Sequence, residues 1–227
     1  MSVVVGPQPV TSSSQAPGGF LGPEALEQKI KDYYATRKYP GIYSLKGVIR
    51  MVAAYESPAS QSRVVVWTSY IYADLSQGRP RQDITVFTLS RKGQDWQVEG
   101  TFNCCSESVL QFEAQYSSIL ARYPDSIPRL DAAAADAAIK TYYDKFIYPG
   151  VYRISGINDL VMALEREEDF GLVQVWTDYA YESLSSNRVG TDTQIFTLAH
   201  TSAGWQVVKS TNSNITKATF TTQYKNY

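Results

Sequence analysis

The feature that most constrains this chain is that it matches itself. Displaced by 109 positions, residues 26–98 fall on residues 135–207 with 28 of 73 positions identical and no gap. Tyr39-Pro40-Gly41-Ile42-Tyr43 meets Tyr148-Pro149-Gly150-Val151-Tyr152, and Trp67-Thr68-Ser69-Tyr70-Ile71-Tyr72 meets Trp176-Thr177-Asp178-Tyr179-Ala180-Tyr181. Phe87-Thr88-Leu89 meets Phe196-Thr197-Leu198, and Trp96-Gln97-Val98 meets Trp205-Gln206-Val207. Solenoid repeats run to roughly 20–50 residues, so a period this long is that of a whole small domain. The expected organisation is an N-terminal arm over residues 1–20, a first unit over 21–116, a linker over 117–131 and a second unit over 132–227. Gly, Pro, Ser, Thr and Gln dominate the arm, and Pro124 and Pro128 punctuate the linker.

Each unit opens on a helical pattern. Pro23 stands where a helix can start without losing a hydrogen bond. Leu26, Ile30, Tyr33, Tyr34 and Arg37 then recur at helical spacing, as do Ala135, Ile139, Tyr142, Tyr143 and Phe146. Asp131 is placed to cap the second helix, and Pro40 and Pro149 end the two helices. After the Tyr-Pro-Gly turn the period changes to two. Four strands are expected in the first unit, near 46–56, 63–74, 82–91 and 95–101. In the second of them Val64, Val66, Thr68, Tyr70 and Tyr72 share one face, and Val65, Trp67, Ser69 and Ile71 share the other. The first strand also keeps helical spacing at Ile49, Val52 and Ala53; its β-branched content favours strand. Residues 106–118 and 216–226 fit either a short helix or a fifth strand.

The fold class expected is therefore α+β: two tandem repeats, each a helix followed by a four-stranded antiparallel sheet wrapped around it. This order resembles the cystatin-like roll, and within it the nuclear transport factor-like group that includes SnoaL-like and ketosteroid-isomerase-like domains. The closing hairpin, Thr85–Val98 with its counterpart at Gln194–Leu198 and Gly204–Val207, carries the resemblance. It implies a cone-shaped space between helix and sheet, used in that group for small apolar ligands, for acid–base catalysis or not at all. It also implies that a tandem chain can pair its sheets as a pseudo-dimer.

Composition narrows the function. The net charge is −1, and Lys and Arg are scattered rather than clustered. Nucleic-acid binding needs a basic patch that displaces counterions, so that partner is not expected. No apolar run is long enough to span a membrane. The cysteines, Cys104 and Cys105, are adjacent and have no counterpart in the second unit, which gives no disulfide framework and suggests a reducing, cytoplasmic setting. His200 is the only histidine. No set of residues reads as catalytic or metal-binding, and no cofactor is expected. Glu56/Glu165 and Asp83/Asp192 are the acidic residues retained in both units, and an isomerase-like site would need one of them as an inward-facing base. Arg79/Arg188 and Asp83/Asp192 flank one turn, as a hairpin ion pair would. Trp67, Trp176, Tyr70, Tyr72, Tyr179 and Tyr181 are the candidate partner-binding residues, because large aromatics on alternating strands can anchor an interface. The expected function is a non-enzymatic structural or interaction protein that binds a protein partner or self-assembles. The alternative is a small-molecule-binding or isomerase/hydratase-like pair with a Tyr-lined cavity that takes a small apolar ligand.

Overall fold

The computed structural model describes residues 21–55, 62–93, 95–102, 108–116, 119–123, 127–164, 171–212 and 215–227. The arm, Cys104 and Cys105, Glu56 and Glu165 lie outside these residues. The described chain is α+β, with four α-helices and two five-stranded antiparallel sheets.

Helix α1 (Pro23–Tyr33) starts at the proline and continues through a wider π-helical turn, Tyr34–Lys38. Leu26, Ile30 and Tyr34 form its buried stripe, as the spacing predicts. Four strands follow: β1 (Tyr43–Tyr55), β2 (Arg63–Asp74), β3 (Pro80–Lys92) and β4 (Asp95–Phe102). The ambiguous segment is thus strand β1. Helix α2 (Val109–Gln115) comes next, closed at its start by a capping box between Ser108 and Gln111, and then β5 (Ile119–Tyr123). The segment 106–118, which fits helix or strand, holds the helix, and the strand follows it. Residues 119–123, expected as linker, pair with β1 as a fifth strand, giving the order β4-β3-β2-β1-β5. Their apolar Ile-Leu-Ala run supplies an edge that the Pro-rich flanks obscure in the sequence.

In the second half α3 (Ala132–Tyr142) begins at Asp131, whose carboxylate accepts the Ala134 N–H at 2.7 Å, and also runs into a π-helical turn, Tyr143–Ile147. Strands β6 (Tyr152–Leu164), β7 (Leu172–Ser183), β8 (Val189–Thr201) and β9 (Gly204–Asn212) follow, then α4 (Lys217–Gln223) and β10 (Lys225–Asn226). The sheet order is β10-β6-β7-β8-β9. The pairing of β6 with β7 has the same irregularities, 109 residues on, as that of β1 with β2.

Each sheet is covered on both faces. Inside the first, α1 packs on Val64, Val66, Tyr70, Phe87 and Leu89. On its other face α2 places Val109 and Phe112 over Val52, Val65 and Trp67. Beyond that helix the outer face meets the second half, where Ile49 and Ile71 join Ala199 and Val208 in one buried cluster. Gly47 lies so close to Thr201 that a Cβ there would stand 2.9 Å from the threonine Cβ.

The contact between halves is not two-fold. The first half contributes β1, β2 and β3, and the second β8 and β9. At the positions equivalent to Ile49 and Ile71 stand Asn158, which is exposed, and Ala180, which is half-buried. At those equivalent to Ala199 and Val208 stand Ser90 and Glu99. Each half therefore uses a different part of its outer sheet face, as in a head-to-tail contact.

Candidate functional site

The inner tyrosines are laid down by period-two alternation along β2 and β7, together with the helix stripe. Tyr34, Tyr39, Tyr43, Tyr70 and Tyr72 meet mostly edge to face, with ring centroids 5.2–6.3 Å apart. Tyr143, Tyr148, Tyr152, Tyr179 and Tyr181 repeat the arrangement. These are favourable geometries for aromatic quadrupoles. Tyr34, Tyr70, Tyr143 and Tyr179 are almost fully buried. Burial raises the pKa of each: Tyr143 is pushed to about 12, and the other three go higher still. They are neutral hydrogen-bonding groups at any ordinary pH.

Polar groups stand among these rings. Tyr70 donates to Asp83 Oδ2 at 3.2 Å and shares a hydrogen bond with Thr85 Oγ1 at 3.0 Å. Lys38 Nζ reaches Thr85 at 3.0 Å and Tyr70 at 3.3 Å, and lies 5.6–5.9 Å from the ring centroids of Tyr34, Tyr39, Tyr70 and Phe87. This is a partly desolvated cation held by aromatic faces. The second half keeps the aspartate, with Tyr179 donating to Asp192 at 3.4 Å, but has Ile147 for Lys38 and Gln194 for Thr85. One further feature is common to both halves: the hydroxyls of Thr68 and Thr177 are buried without a hydrogen-bond partner in the structure.

The six residues expected to bind a partner are placed as follows. Trp67 and Trp176 are 5% and 7% exposed, under α2 and α4 respectively, and Trp176 Nε1 donates to the Ile215 carbonyl at 3.0 Å. Tyr70 and Tyr179 are buried, and Tyr72 and Tyr181 are half-buried in the tyrosine clusters. None presents a ring freely to solvent. The reason lies in the segments after the fourth strands: their helices lay Phe112 and Phe220 on the tryptophan faces, a cover that strand alternation does not reveal. Arg79 and Asp83 also part company: Arg79 Nε donates to Tyr142 in the other half at 3.1 Å, while Asp83 serves Tyr70.

What the structure does expose twice is the tip beside each Tyr-Pro-Gly turn. Gly41 and Gly150 both adopt φ +72°, the left-handed geometry that the third residue of a type II turn requires. The turn is tied to the neighbouring hairpin by Leu75 N–H to the Ile42 carbonyl at 3.0 Å, and by Leu184 N–H to the Val151 carbonyl at 2.9 Å. Ile42 and Leu75 are 55% and 58% exposed, and Val151 and Leu184 are both 48% exposed. Two equivalent pairs of exposed apolar side chains on hydrogen-bonded turns result. Leu75 and Leu184 are identical under the 109-residue offset, which is the signal the sequence carried.

Among the described residues no cluster of three His, Cys, Asp or Glu side chains could hold a metal ion, and no helix is long and apolar enough to cross a membrane. No protein-family model matches the chain, and no curated protein matches it. Among solved structures, one titled "Ntf2 like protein involved in plasmid conjugation" is similar over 77% of this chain and 80% of its own, at 12% identity and a TM-score of 0.27. That resemblance in fold is weak and carries no argument about function.

Proposed function

We propose that the chain is a non-enzymatic interaction protein: a tandem pair of cystatin-like α+β rolls that offers one apolar patch twice, to a protein partner or to further copies of itself in the cytoplasm. The observation that carries this is the duplicated tip, Ile42 with Leu75 and Val151 with Leu184. Exposed apolar side chains scattered singly are ordinary, whereas the same pair set at equivalent positions in both halves supports a recognition surface. Two copies on one chain let weak contacts act together, a gain of about 10²–10⁴ when both engage. The units are residues 21–116, extended by β5, and 132–227. In this reading Trp67, Trp176, Tyr70, Tyr72, Tyr179 and Tyr181 serve the interface from behind, as the rigid packing on which the tips are mounted.

The alternative of a ligand-binding or isomerase-like pair has the Lys38–Tyr70–Thr85–Asp83 cluster in its favour. That cluster exists in one half only, and its tyrosine is neutral and enclosed by other rings. Substituting a photo-cross-linking amino acid at Leu75 and Leu184 tests the interaction reading. Both positions should capture the same protein, or another copy of the chain, and the exposed Leu110 should not. Equal labelling at all three positions would refute it.

A further inference from the structure

A second feature exists only because the halves are packed together. Between them lies an open cavity of about 690 Å³. Its wall is one face of α3 with Ala134, Ala137 and Ala138, continued by Phe146 of the π-helical turn, and its floor is Trp205 and Val207 of β9. Gly78 and Pro80 of the first half close the far side. Tyr142 also lines it and is fixed by Arg79, whose guanidinium carbon lies 5.8 Å from the ring centroid.

The first half provides an internal control. At the positions of Ala137, Ala138, Thr141 and Phe146, α1 and its π-helical turn carry Gln28, Lys29, Asp32 and Arg37. There Lys29 pairs with Asp95 at 2.6 Å and Gln28 bonds Asp32 at 2.7 Å, as on an ordinary solvated helix face. The same surface on α3 presents alanines, with the Thr141 hydroxyl donating to the Ala137 carbonyl at 2.8 Å, although Ala137 is exposed. Folding of the second unit does not require this, since the first unit folds with the polar set.

The charge at the cavity is of one sign. Lys46 and Lys145 line it, Arg79 flanks it, and among the described residues no lining residue is acidic. The size falls within the range of about 300–1,000 Å³ typical of small-molecule sites, which are mostly apolar with a few directing polar groups. We propose that this cavity binds a small amphiphile with an apolar body and one anionic head, of which a medium-chain carboxylate is the simplest member. The body lies along the alanine face of α3 against Trp205, and the head meets Lys46 and Lys145. The site is independent of the tip patches and goes beyond the interaction role.

Titration calorimetry on the full chain tests this with decanoate, using decyltrimethylammonium as the probe of equal length and opposite charge. Decanoate should bind saturably at one site, and the cationic probe should bind far more weakly. Lys46→Glu with Lys145→Glu should weaken decanoate by about tenfold or more, as loss of charge-assisted contacts does. Ala137→Phe, at an exposed position, should abolish binding while leaving the melting temperature unchanged. Absence of saturable binding, equal affinity for the two probes, or decanoate binding that survives both sets of substitutions would each overturn the proposal.

Discussion

Replacing Trp67 or Trp176 by alanine separates a buried support from a surface anchor. Trp67 lies among Val52, Val65, Val86, Val109 and Phe112, and Trp176 among Ala163, Ile195 and Phe220. Both are below a tenth exposed, so truncation removes a whole buried indole and leaves a void between sheet and helix. Trp176 loses in addition its bond to the Ile215 carbonyl. Burial of this kind is worth about 3–5 kcal/mol per truncation, from the lost transfer of apolar surface and the cavity left behind. For a chain of this length each kcal/mol moves the midpoint by about 2–4 °C, so each variant should melt roughly 6–20 °C below the parent. Urea unfolding followed by far-UV circular dichroism reads the loss directly, since the midpoint should fall with little change in slope. A loss below about 1 kcal/mol for either tryptophan would mean that α2 or α4 does not cover that face. That tryptophan would then not be a buried support of its sheet.

Three further outcomes follow from the same packing. Thr68→Val and Thr177→Val should leave stability unchanged or raise it, because each replaces a buried hydroxyl that otherwise costs about 1–3 kcal/mol when unpaired; a loss above about 1 kcal/mol in urea titration would show a hydrogen bond to something not in the structure. Gly47→Ala should cost about 1–3 kcal/mol by crowding Thr201, whereas Gly156→Ala, with open space at the equivalent position, should be nearly neutral; equal effects would refute the head-to-tail contact. Burial lowers the pKa of His200, so the folded chain takes up this proton less readily than the unfolded chain. Its contribution to stability is complete above a pH of about 6.5 and declines as pH falls toward the folded-state value, so His200→Gln should flatten that part of the pH–stability curve. Asp74, Asp95 and Asp159, held low chiefly by hydrogen bonds, lose their contributions only below a pH of about 4 and do not mask it.

Much of the architecture is legible in the residues, because local rules and packing agree there. The helix stripe Leu26-Ile30-Tyr34, the Asp131 cap and the alternation of β2 each use one period that only one structure satisfies. The segments after β4 and β9 fit two readings for a physical reason: each helix, Val109–Gln115 and Lys217–Gln223, is two turns long, too short for its period to dominate. The tryptophans show the limit of alternation, which assigns a residue to a face but not to what covers that face. The π-helical turns after Tyr33 and Tyr142 leave no pattern that spacing can detect. Asp83, half-buried, and Asp192, exposed, accept from Tyr70 and Tyr179, a pairing set by sheet register that no local spacing reveals. The tip patches were visible as an identity, Leu75 with Leu184, but exposure cannot be read from identity. The junction cavity depends on how two sheets meet, which no stretch of one half encodes.

The interaction reading rests on the two tips, and one comparison bears on it most directly: recovery of the partner that co-purifies with the chain from its native source, for the parent, Leu75→Asp, Leu184→Asp and the double variant. All four should melt alike, since both side chains are about half exposed or more. Each single variant should retain the partner weakly and the double variant should lose it, with the avidity of a twin site falling by about 10²–10⁴. Undiminished recovery with the folded double variant would contradict the account.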